Sequence, residues 1–166
     1  MSAAFPPSWY ASSLPEPPAL PPLRGELHAD VAILGAGYTG LTAALELALR
    51  GQRVVVLEAQ RIGWGASGRN GGQALVGYGC EVDDARRLFD WSREAVQAMR
   101  ARINRHGIDC HWVEGHASVA IRARHERDLR ANCEHLQRHY DYPMQWWPRD
   151  TLRAQLDSPR YRAAMF

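Results

Sequence analysis

Two short, uninterrupted apolar runs stand out near the beginning of the chain. Residues 30–34 place four apolar side chains after one aspartate, and residues 54–57 are entirely apolar. Runs of this length without alternation are typical of strands buried on both faces of a parallel sheet. Residues 41–50 between them carry Ala and Leu at helical spacing and are followed by Gly51, a usual residue just past a helix end. The pattern predicts a β–α–β unit with parallel strands and a right-handed crossover.

Beyond the second run, the pattern changes to glycine-rich and then to longer, charged segments. Residues 62–79 contain seven glycines without any period, which predicts a loop whose backbone approaches something closely. Residues 83–106, ending before Gly107, and residues 126–139 predict amphipathic helices. Alternating residues 111–121 predict one or two strands, and Pro148 opens a short helix at 151–156 that Ser158-Pro159 ends.

Residues 1–24 form a separate, proline-rich segment that holds seven of the ten prolines. Trp9 and Tyr10 are its candidate aromatic anchors. Two interpretations stay open, an extended arm packed on the surface or a disordered tail. A secretory signal needs a basic start and an unbroken apolar core, and the prolines interrupt any such core.

Composition and charge narrow the class of protein. The chain has 46% apolar and 23% charged residues and a formal net charge of +2, so we expect neither a nucleic-acid nor an acidic-membrane partner. Residues 31–49 are nearly long enough to span a bilayer, but their three glycines and Glu46 favour a buried strand and helix. Cys80, Cys110 and Cys133 are widely spaced, which fits reduced thiols in a cytoplasmic protein.

The turn after the first strand carries a recognisable glycine spacing. Its six residues are Gly35, Ala36, Gly37, Tyr38, Thr39 and Gly40. The first glycine of such a motif permits the tight turn, the second lets the backbone approach a pyrophosphate, and the third lets the helix pack on the strand. The helix N-terminus then offers N–H groups and a positive dipole end to the phosphates.

Glu58 stands at the end of the second strand, 18 residues past Gly40. A carboxylate there accepts hydrogen bonds from an adenosine ribose, and its charge disfavours a 2′-phosphate. The motif and Glu58 therefore predict a dinucleotide site, but FAD and NAD share the ADP moiety that they recognise. The following loop contains Ser67 and Asn70 among glycines, an arrangement that surrounds an anion with short donors.

Residues 30–58, followed by I-G-W-G-A-S-G-R-N-G-G-Q at residues 62–73, resemble the N-terminal region of FAD-dependent amine and amino-acid oxidoreductases. That family includes D-amino-acid, glycine and sarcosine oxidases, and the likeness is strongest to γ-glutamylputrescine oxidases. It is sharp over about residues 25–80. Beyond residue 80, only the order of elements and the segment Ser158-Pro159-Arg160-Tyr161 are similar.

The resemblance implies FAD as cofactor and a hydride equivalent taken from the carbon beside a substrate amine. It assigns the ADP half to the Gly35–Gly40 turn, Glu58, Ala59 and Arg61, and the pyrophosphate and flavin to Ser67, Gly68, Asn70, Gly71 and Gly72. In the sarcosine and dimethylglycine dehydrogenase branch a histidine of this loop bonds covalently to flavin. Arg69 stands in its place, which predicts non-covalent FAD. No catalytic residue is assigned.

The expected fold is α/β: a Rossmann-like FAD-binding βαβ unit followed by the beginning of an α+β substrate domain. The expected regions are an arm at 1–24, an FAD-binding region at 25–107 and a substrate region at 108–166. Members of the family are about twice as long or longer, so the resemblance implies an incomplete fold that is inactive alone. Because parallel sheets need cover on both faces, we expect exposed apolar surface and a complementary C-terminal chain.

Alternative functions remain at this level. A non-catalytic module or remnant that binds FAD or ADP is the main one, and an NAD-dependent dehydrogenase domain is another. His135 and His139 have the i, i+4 spacing of a metal pair, but they lack a second pair, so we expect solvated histidines and no metal. Trp146-Trp147 either packs in a core or lines a substrate pocket.

Overall fold

The structure is a computed structural model that describes residues 7–13, 20–77 and 85–166. The chain forms two compact units, Met1–Gln73 and Ala74–Phe166. Parts of the predicted arm, Cys80 and the start of the predicted helix at 83 lie outside the described residues. The functional division into an FAD-binding region at 25–107 and a substrate region from 108 stays a prediction.

The first unit contains the predicted β–α–β arrangement. Its elements are helix α1 (Trp9–Ser13), strand β1 (Val31–Leu34), helix α2 (Tyr38–Leu49), strand β2 (Val54–Leu57) and a 3₁₀ turn (Ala66–Gly68). The two strands are parallel, with Val31 opposite Val54 and Leu34 opposite Leu57. The α/β prediction is confirmed, and α2 begins three residues earlier than the sequence pattern indicated.

Burial of β1 differs from the prediction. Val31 and Ile33 are half-buried, whereas Ala32 is exposed and Leu34 is 82% exposed. In the described residues the sheet of this unit has two strands, and α2 packs against both of them. One face therefore carries a helix while Ala32 and Leu34 stay accessible, so the prediction of a strand buried on both faces is wrong for this chain.

An ion pair joins the beginnings of the two strands. The Arg53 guanidinium donates to Asp30 Oδ1 from Nη2 at 2.8 Å and to Oδ2 from Nε at 3.2 Å. The Arg53 amide also donates to Asp30 Oδ2 at 2.8 Å. These bonds stabilise the charged carboxylate and lower the pKa of Asp30. The Asp30–Arg53 ion pair therefore fixes the strand register at the end opposite the glycine turn.

The second unit combines three helices with an antiparallel sheet. Its elements are α3 (Ala85–His106), β3 (Ser118–Ala120), α4 (Ala123–Tyr140), β4 (Trp146–Trp147), α5 (Arg149–Gln155) and β5 (Ala163–Met165). The strand order is β3-β5-β4. Helix α3 is followed by Gly107 with φ +57°, the left-handed conformation that glycine adopts easily at a helix end.

The core of the second unit lies where α4 and α5 pack on β5. Leu152, Ala120 and Ala164 are fully buried, and Cys133 is 2% exposed. Burial raises the pKa of the Cys133 thiol, because the thiolate loses hydration. The predicted helices of this region are confirmed, with α4 extending from 123 to 140 instead of 126 to 139.

The strand prediction for residues 111–121 is correct only at its end. His111 has φ +52° and Gly115 has φ +94°, and neither conformation fits an extended strand. Regular pairing is confined to β3, which aligns with β5. The sequence pattern also missed β4 and β5, which pair with each other. The Trp147 ring stacks on Phe166 with centroids 4.3 Å apart.

Candidate cofactor site

The turn between β1 and α2 is built around Gly35. Its amide donates to the carbonyl of Leu57 at 2.7 Å, which extends the parallel pairing by one step. Gly35 has φ +102°, a backbone conformation that residues other than glycine rarely adopt. Ala36 follows and is 2% exposed. The backbone therefore reverses at the carboxyl edge of the sheet, where α/β proteins bind ligands.

Gly37 and Gly40 permit two close approaches. A Cβ atom on Gly40 would collide with the Gly35 carbonyl and lie 3.3 Å from Ile33 Cγ2. A Cβ atom on Gly37 would lie 3.0 Å from Ser67 Oγ. The third glycine of the motif thus sets the packing of α2 on β1, as predicted, and the second glycine faces the loop that carries Ser67.

The N-terminus of α2 points its amides into this turn. The Leu41 amide donates to the carbonyl of Gly37 at 2.9 Å, so amides before Leu41 precede the helical ladder. Ser67 Oγ accepts the Tyr38 amide at 2.9 Å. A helix start with a hydroxyl beside it suits a phosphate group, because amide donors and the helix dipole both favour negative charge.

Glu58 ties the end of β2 to the same turn. Its Oε2 accepts the Ala36 amide at 2.8 Å, and its Oε1 accepts the Gln60 amide at 2.9 Å. These backbone donors lower the pKa of Glu58, so the side chain is ionised at neutral pH. Each carboxylate oxygen accepts more than one hydrogen bond, and Glu58 is exposed. It can therefore also receive ribose hydroxyls.

Asn70 connects the glycine-rich loop to the helix start. Its Nδ2 donates to the Ser67 carbonyl at 2.8 Å and to the Tyr38 hydroxyl at 3.1 Å. Its Oδ1 accepts the Gly72 amide at 2.9 Å. The Gly63 amide also donates to the Ala36 carbonyl at 3.0 Å, so Gly63, Ser67 and Asn70 each bond the loop to the motif.

Arg69 folds back on its own loop. Its Nε and Nη2 donate to the Trp64 carbonyl at 3.2 and 3.0 Å, and its guanidinium lies 4.6 Å from the centre of the Trp64 ring. Gly68 is required nearby, because a Cβ atom there would collide with the Gly63 carbonyl. These contacts within the loop stabilise its conformation.

The sequence-predicted residues fall into two groups in the structure. Direct bonds connect the turn at 35–40 with Glu58, Ser67 and Asn70. The other predicted residues lie in the same unit; they are Ala59, Arg61, Gly68, Gly71 and Gly72. The role of each residue toward a cofactor stays a prediction. Sequence reasoning missed Gly63, although its place in a glycine-dense loop was a signal.

Metal ligands and membrane-spanning helices were both candidate features of the sequence. Within residues 7–13, 20–77 and 85–166, no three His, Cys, Asp or Glu side chains cluster as metal ligands. His135 and His139 are neighbours on α4, with ring centroids 4.6 Å apart. Of the helices in those same ranges, none has the length and apolar character that crossing a membrane requires.

A glycine turn between parallel strands, with a carboxylate after the second strand, is typical of dinucleotide-binding proteins. The family model described as "FAD dependent oxidoreductase" matches residues 30–166. The chain therefore belongs to the FAD-dependent oxidoreductase family.

Relatives place the chain among oxidoreductases. It is 37% identical to the probable oxidoreductase OrdL of Haemophilus influenzae, over 96% of this chain and 39% of that protein. It is 36% identical to γ-glutamylputrescine oxidoreductase of Escherichia coli, over 95% of this chain and 39% of that protein. The chain thus spans about two fifths of the length of these relatives.

A solved structure supports the fold. Glycine oxidase from Bacillus cereus superimposes with a TM-score of 0.57 and 24% identity, over 83% of this chain and 39% of that chain. At that identity the likeness concerns the fold alone. It agrees with the resemblance to amine and amino-acid oxidoreductases, which is confirmed at the level of the family.

Proposed function

We propose that this chain binds FAD without a covalent bond and forms the cofactor-binding part of an enzyme that oxidises the C–N bond of an amine or amino acid. One observation carries the proposal: the turn at Gly35–Gly40, Glu58 and the loop around Asn70 are bonded into one continuous surface. That surface offers an amide-rich helix start and a carboxylate at the spacing of an ADP moiety.

The residues present fit the ADP half of FAD. Gly37 lets Ser67 approach the helix start, since a Cβ atom on Gly37 would lie 3.0 Å from Ser67 Oγ, and the Ser67 hydroxyl accepts the Tyr38 amide there. A pyrophosphate would lie beside this hydroxyl and the first amides of α2. Glu58 keeps lone pairs for the ribose. Bound FAD supplies the hydride acceptor of the reaction, while the protein binds and orients the reactants. The loop from Ser67 to Gly72 would hold the part of the cofactor beyond the pyrophosphate.

The proposal of non-covalent attachment rests on Arg69. By resemblance it stands where one branch of the family carries the histidine that bonds to flavin. A planar, delocalised guanidinium is a poor nucleophile. Arg69 is also held by its two bonds to the Trp64 carbonyl, which direct it back to the loop.

A substrate of the γ-glutamylputrescine type is favoured because one relative carries that substrate in its name. Transfer of this substrate to the chain is part of the proposal, since the chain spans 39% of that relative. Buried Cys133 and exposed Cys110 are both free thiols, and we propose the cytoplasm as the place where such a protein works.

We further propose that a complementary polypeptide covers the open face of the β1–β2 sheet. Leu34 is 82% exposed on that face, and parallel sheets are normally covered on both faces. We propose that this polypeptide corresponds to the part of the relatives that the chain does not span, since the matches cover 39% of their length. Without it, we expect the chain to bind FAD but not to turn over an amine.

FAD binding is tested by titrating FAD with the purified chain, both without NAD and in the presence of NAD. We expect saturable quenching of flavin fluorescence and no competition from NAD. Acid denaturation should release all flavin into solution. Failure to bind FAD would refute the proposal that the chain binds this cofactor. Flavin that stays on the denatured chain would refute non-covalent attachment.

Gly40→Ala tests whether FAD binding depends on the glycine turn. The added Cβ must displace the Gly35 carbonyl, so we expect FAD affinity to fall about a hundredfold through distortion of the turn. Gly65→Ala is the matched control, because a Cβ there meets nothing within 4 Å and should leave affinity unchanged. Equal effects of the two variants would contradict the assigned turn.

Catalysis is tested by adding γ-glutamylputrescine to the FAD-loaded chain under anaerobic conditions, with and without the complementary C-terminal chain. We expect bleaching of the flavin only when both chains are present. Bleaching by the 166-residue chain alone would overturn its dependence on a partner. Bound flavin that no amine reduces, even with the partner, would favour a non-catalytic binding module.

A further inference from the structure

The side chain of Asn70 uses its full hydrogen-bonding capacity. A carboxamide has two donor hydrogens and two acceptor lone pairs. The donors go to the Ser67 carbonyl and the Tyr38 hydroxyl. The lone pairs receive the Gly72 amide and, at 3.4 Å, the hydroxyl of Tyr10. Four separate places in the chain therefore meet at one side chain.

The direction of every bond in this network is determined by its backbone partners. The Gly72 amide only donates, so it must face Oδ1, and the Ser67 carbonyl only accepts, so it must face Nδ2. Tyr10 then has to donate to Oδ1, while the hydroxyl oxygen of Tyr38 accepts from Nδ2. Among the described residues the Tyr38 hydroxyl proton has no acceptor.

Tyr10 reaches this network from the proline-rich arm. Helix α1 is one short turn whose first amides are capped by Ser8, since the Ala11 amide donates to Ser8 Oγ at 3.2 Å. Ser12 and Ser13 both donate their hydroxyls to the Trp9 carbonyl. These local bonds order the segment that carries Tyr10 and present its ring to the loop.

The same hydroxyl also limits the space above Gly72. A Cβ atom on Gly72 would lie 2.7 Å from Tyr10 Oη, and Gly72 has φ +79°. A residue with a side chain at 72 would therefore have to displace Tyr10 as well as adopt a strained backbone. The arm and the loop fit each other at this point.

We propose that Tyr10 is a positioning residue for the cofactor loop, holding the Asn70 carboxamide and the Gly72 backbone in the conformation that receives FAD. The last part rests on the proposed function, because it assumes that the loop contacts the cofactor. In this arrangement the Tyr10 hydroxyl donates to Asn70 Oδ1 and so orients the carboxamide. The Tyr38 hydroxyl oxygen accepts from Asn70 Nδ2, which leaves the Tyr38 hydroxyl proton available to the ligand.

The first test compares Tyr10→Phe with Trp9→Phe by amide hydrogen exchange in the chain without FAD. Tyr10→Phe removes one oxygen from a surface site and should not affect folding elsewhere. We expect faster exchange of the Gly72 amide in Tyr10→Phe. Trp9 is 78% exposed, so Trp9→Phe should leave that amide unchanged. Unchanged exchange in Tyr10→Phe would overturn the proposal whether or not the chain binds FAD.

The second test measures FAD affinity in a double-mutant cycle with Asn70→Ala. Loss of the Tyr10 hydroxyl should weaken FAD binding about three- to tenfold, the range for one ordinary hydrogen bond. In the Asn70→Ala background the same substitution should have no further effect, since the acceptor is gone. Additive effects would contradict action through Asn70. Absence of FAD binding in the unmodified chain would instead refute the proposed function and leave the exchange result standing.

Discussion

The two compact units of this chain are organised by different forces. Of the buried apolar residues in the described parts of the chain, Ala36 alone belongs to the first unit. The others, Phe89, Ala120, Cys133, Leu152, Ala163, Ala164 and Met165, all belong to the second. The first unit is instead connected by directional bonds between backbone amides, Glu58, Ser67 and Asn70.

The second unit therefore contains a folding core, whereas the first unit presents a candidate binding surface. Apolar burial is the dominant favourable term in folding, so the second unit has the more complete internal source of stability. The first unit places glycines and hydrogen-bonding groups where a nucleotide would lie and leaves Leu34 accessible. Its full stability should therefore depend on a ligand or a covering chain.

Substitution of a buried leucine should show the contrast most strongly. Leu152 is fully buried in the second unit, and Leu152→Ala should reduce the free energy of unfolding of that unit by about 2–5 kcal/mol through the cavity it leaves. Leu34→Ala, at an 82% exposed site of the first unit, should change stability by less than about 0.5 kcal/mol. Urea unfolding followed by hydrogen exchange in each unit measures both values. Comparable losses of stability from the two substitutions would contradict the proposed difference between the units.

Addition of FAD should stabilise the first unit selectively. At a free FAD concentration 100 times Kd, linkage adds about 2.7 kcal/mol to the unit that binds the ligand. We expect protection of amides in residues 30–58 and little change in α4 or β5. Equal protection of both units by FAD would show that they unfold together.

The smallest expected effect concerns Glu58 and pH. The Ala36 and Gln60 amides lower the pKa of Glu58 in the folded chain. Its contribution to the free energy of unfolding is therefore complete above the unfolded pKa of about 4.3 and is lost as pH falls through the lower folded value. FAD affinity should fall where Glu58 becomes protonated in the folded chain, below that unfolded pKa. Glu58→Gln should weaken FAD binding about tenfold at pH 7, because charge-assisted bonds to the ribose are lost.

The control for that prediction is the shape of the pH profile. In Glu58→Gln, the acidic decrease that belongs to this carboxylate should disappear, while Asp30, whose pKa is also lowered, still titrates. An unchanged acidic profile of FAD binding in Glu58→Gln would assign the decrease to another group.

The sequence predicted the first unit well because its determinants are local. Gly35, Gly37 and Gly40 follow a strand directly. Gly35 has a positive φ and Gly40 packs on Gly35 and Ile33, both close in sequence, whereas Gly37 contacts the more distant Ser67. Glu58 was found by spacing, since one crossover helix fixes the distance between the strand ends. The parallel register of β1 and β2 followed from the same connection.

The features that sequence reasoning missed depend on contacts between distant residues. Strand β5 lies between β3 and β4, and its Ala-rich run carries no alternation that would reveal it. Tyr10 was recognised as an aromatic anchor, but its partner Asn70 is 60 residues away. The exposure of Leu34 agrees with the expectation of exposed apolar surface, because a parallel strand without cover on one face leaves its apolar side chains accessible.

The saturated carboxamide of Asn70 has a consequence for the chemical lifetime of the protein. Asn70 is followed by Gly71, a pair in which the glycine nitrogen readily attacks the carboxamide carbon, forms a succinimide and releases ammonia. Asparagine is among the thermolabile residues for this reason. Four hydrogen bonds hold the carboxamide in place and oppose the rotation that the attack requires. When the loop opens and these bonds are lost, we expect the succinimide to form at Asn70, and water then hydrolyses it to aspartate or isoaspartate in place of the amide that organises the loop.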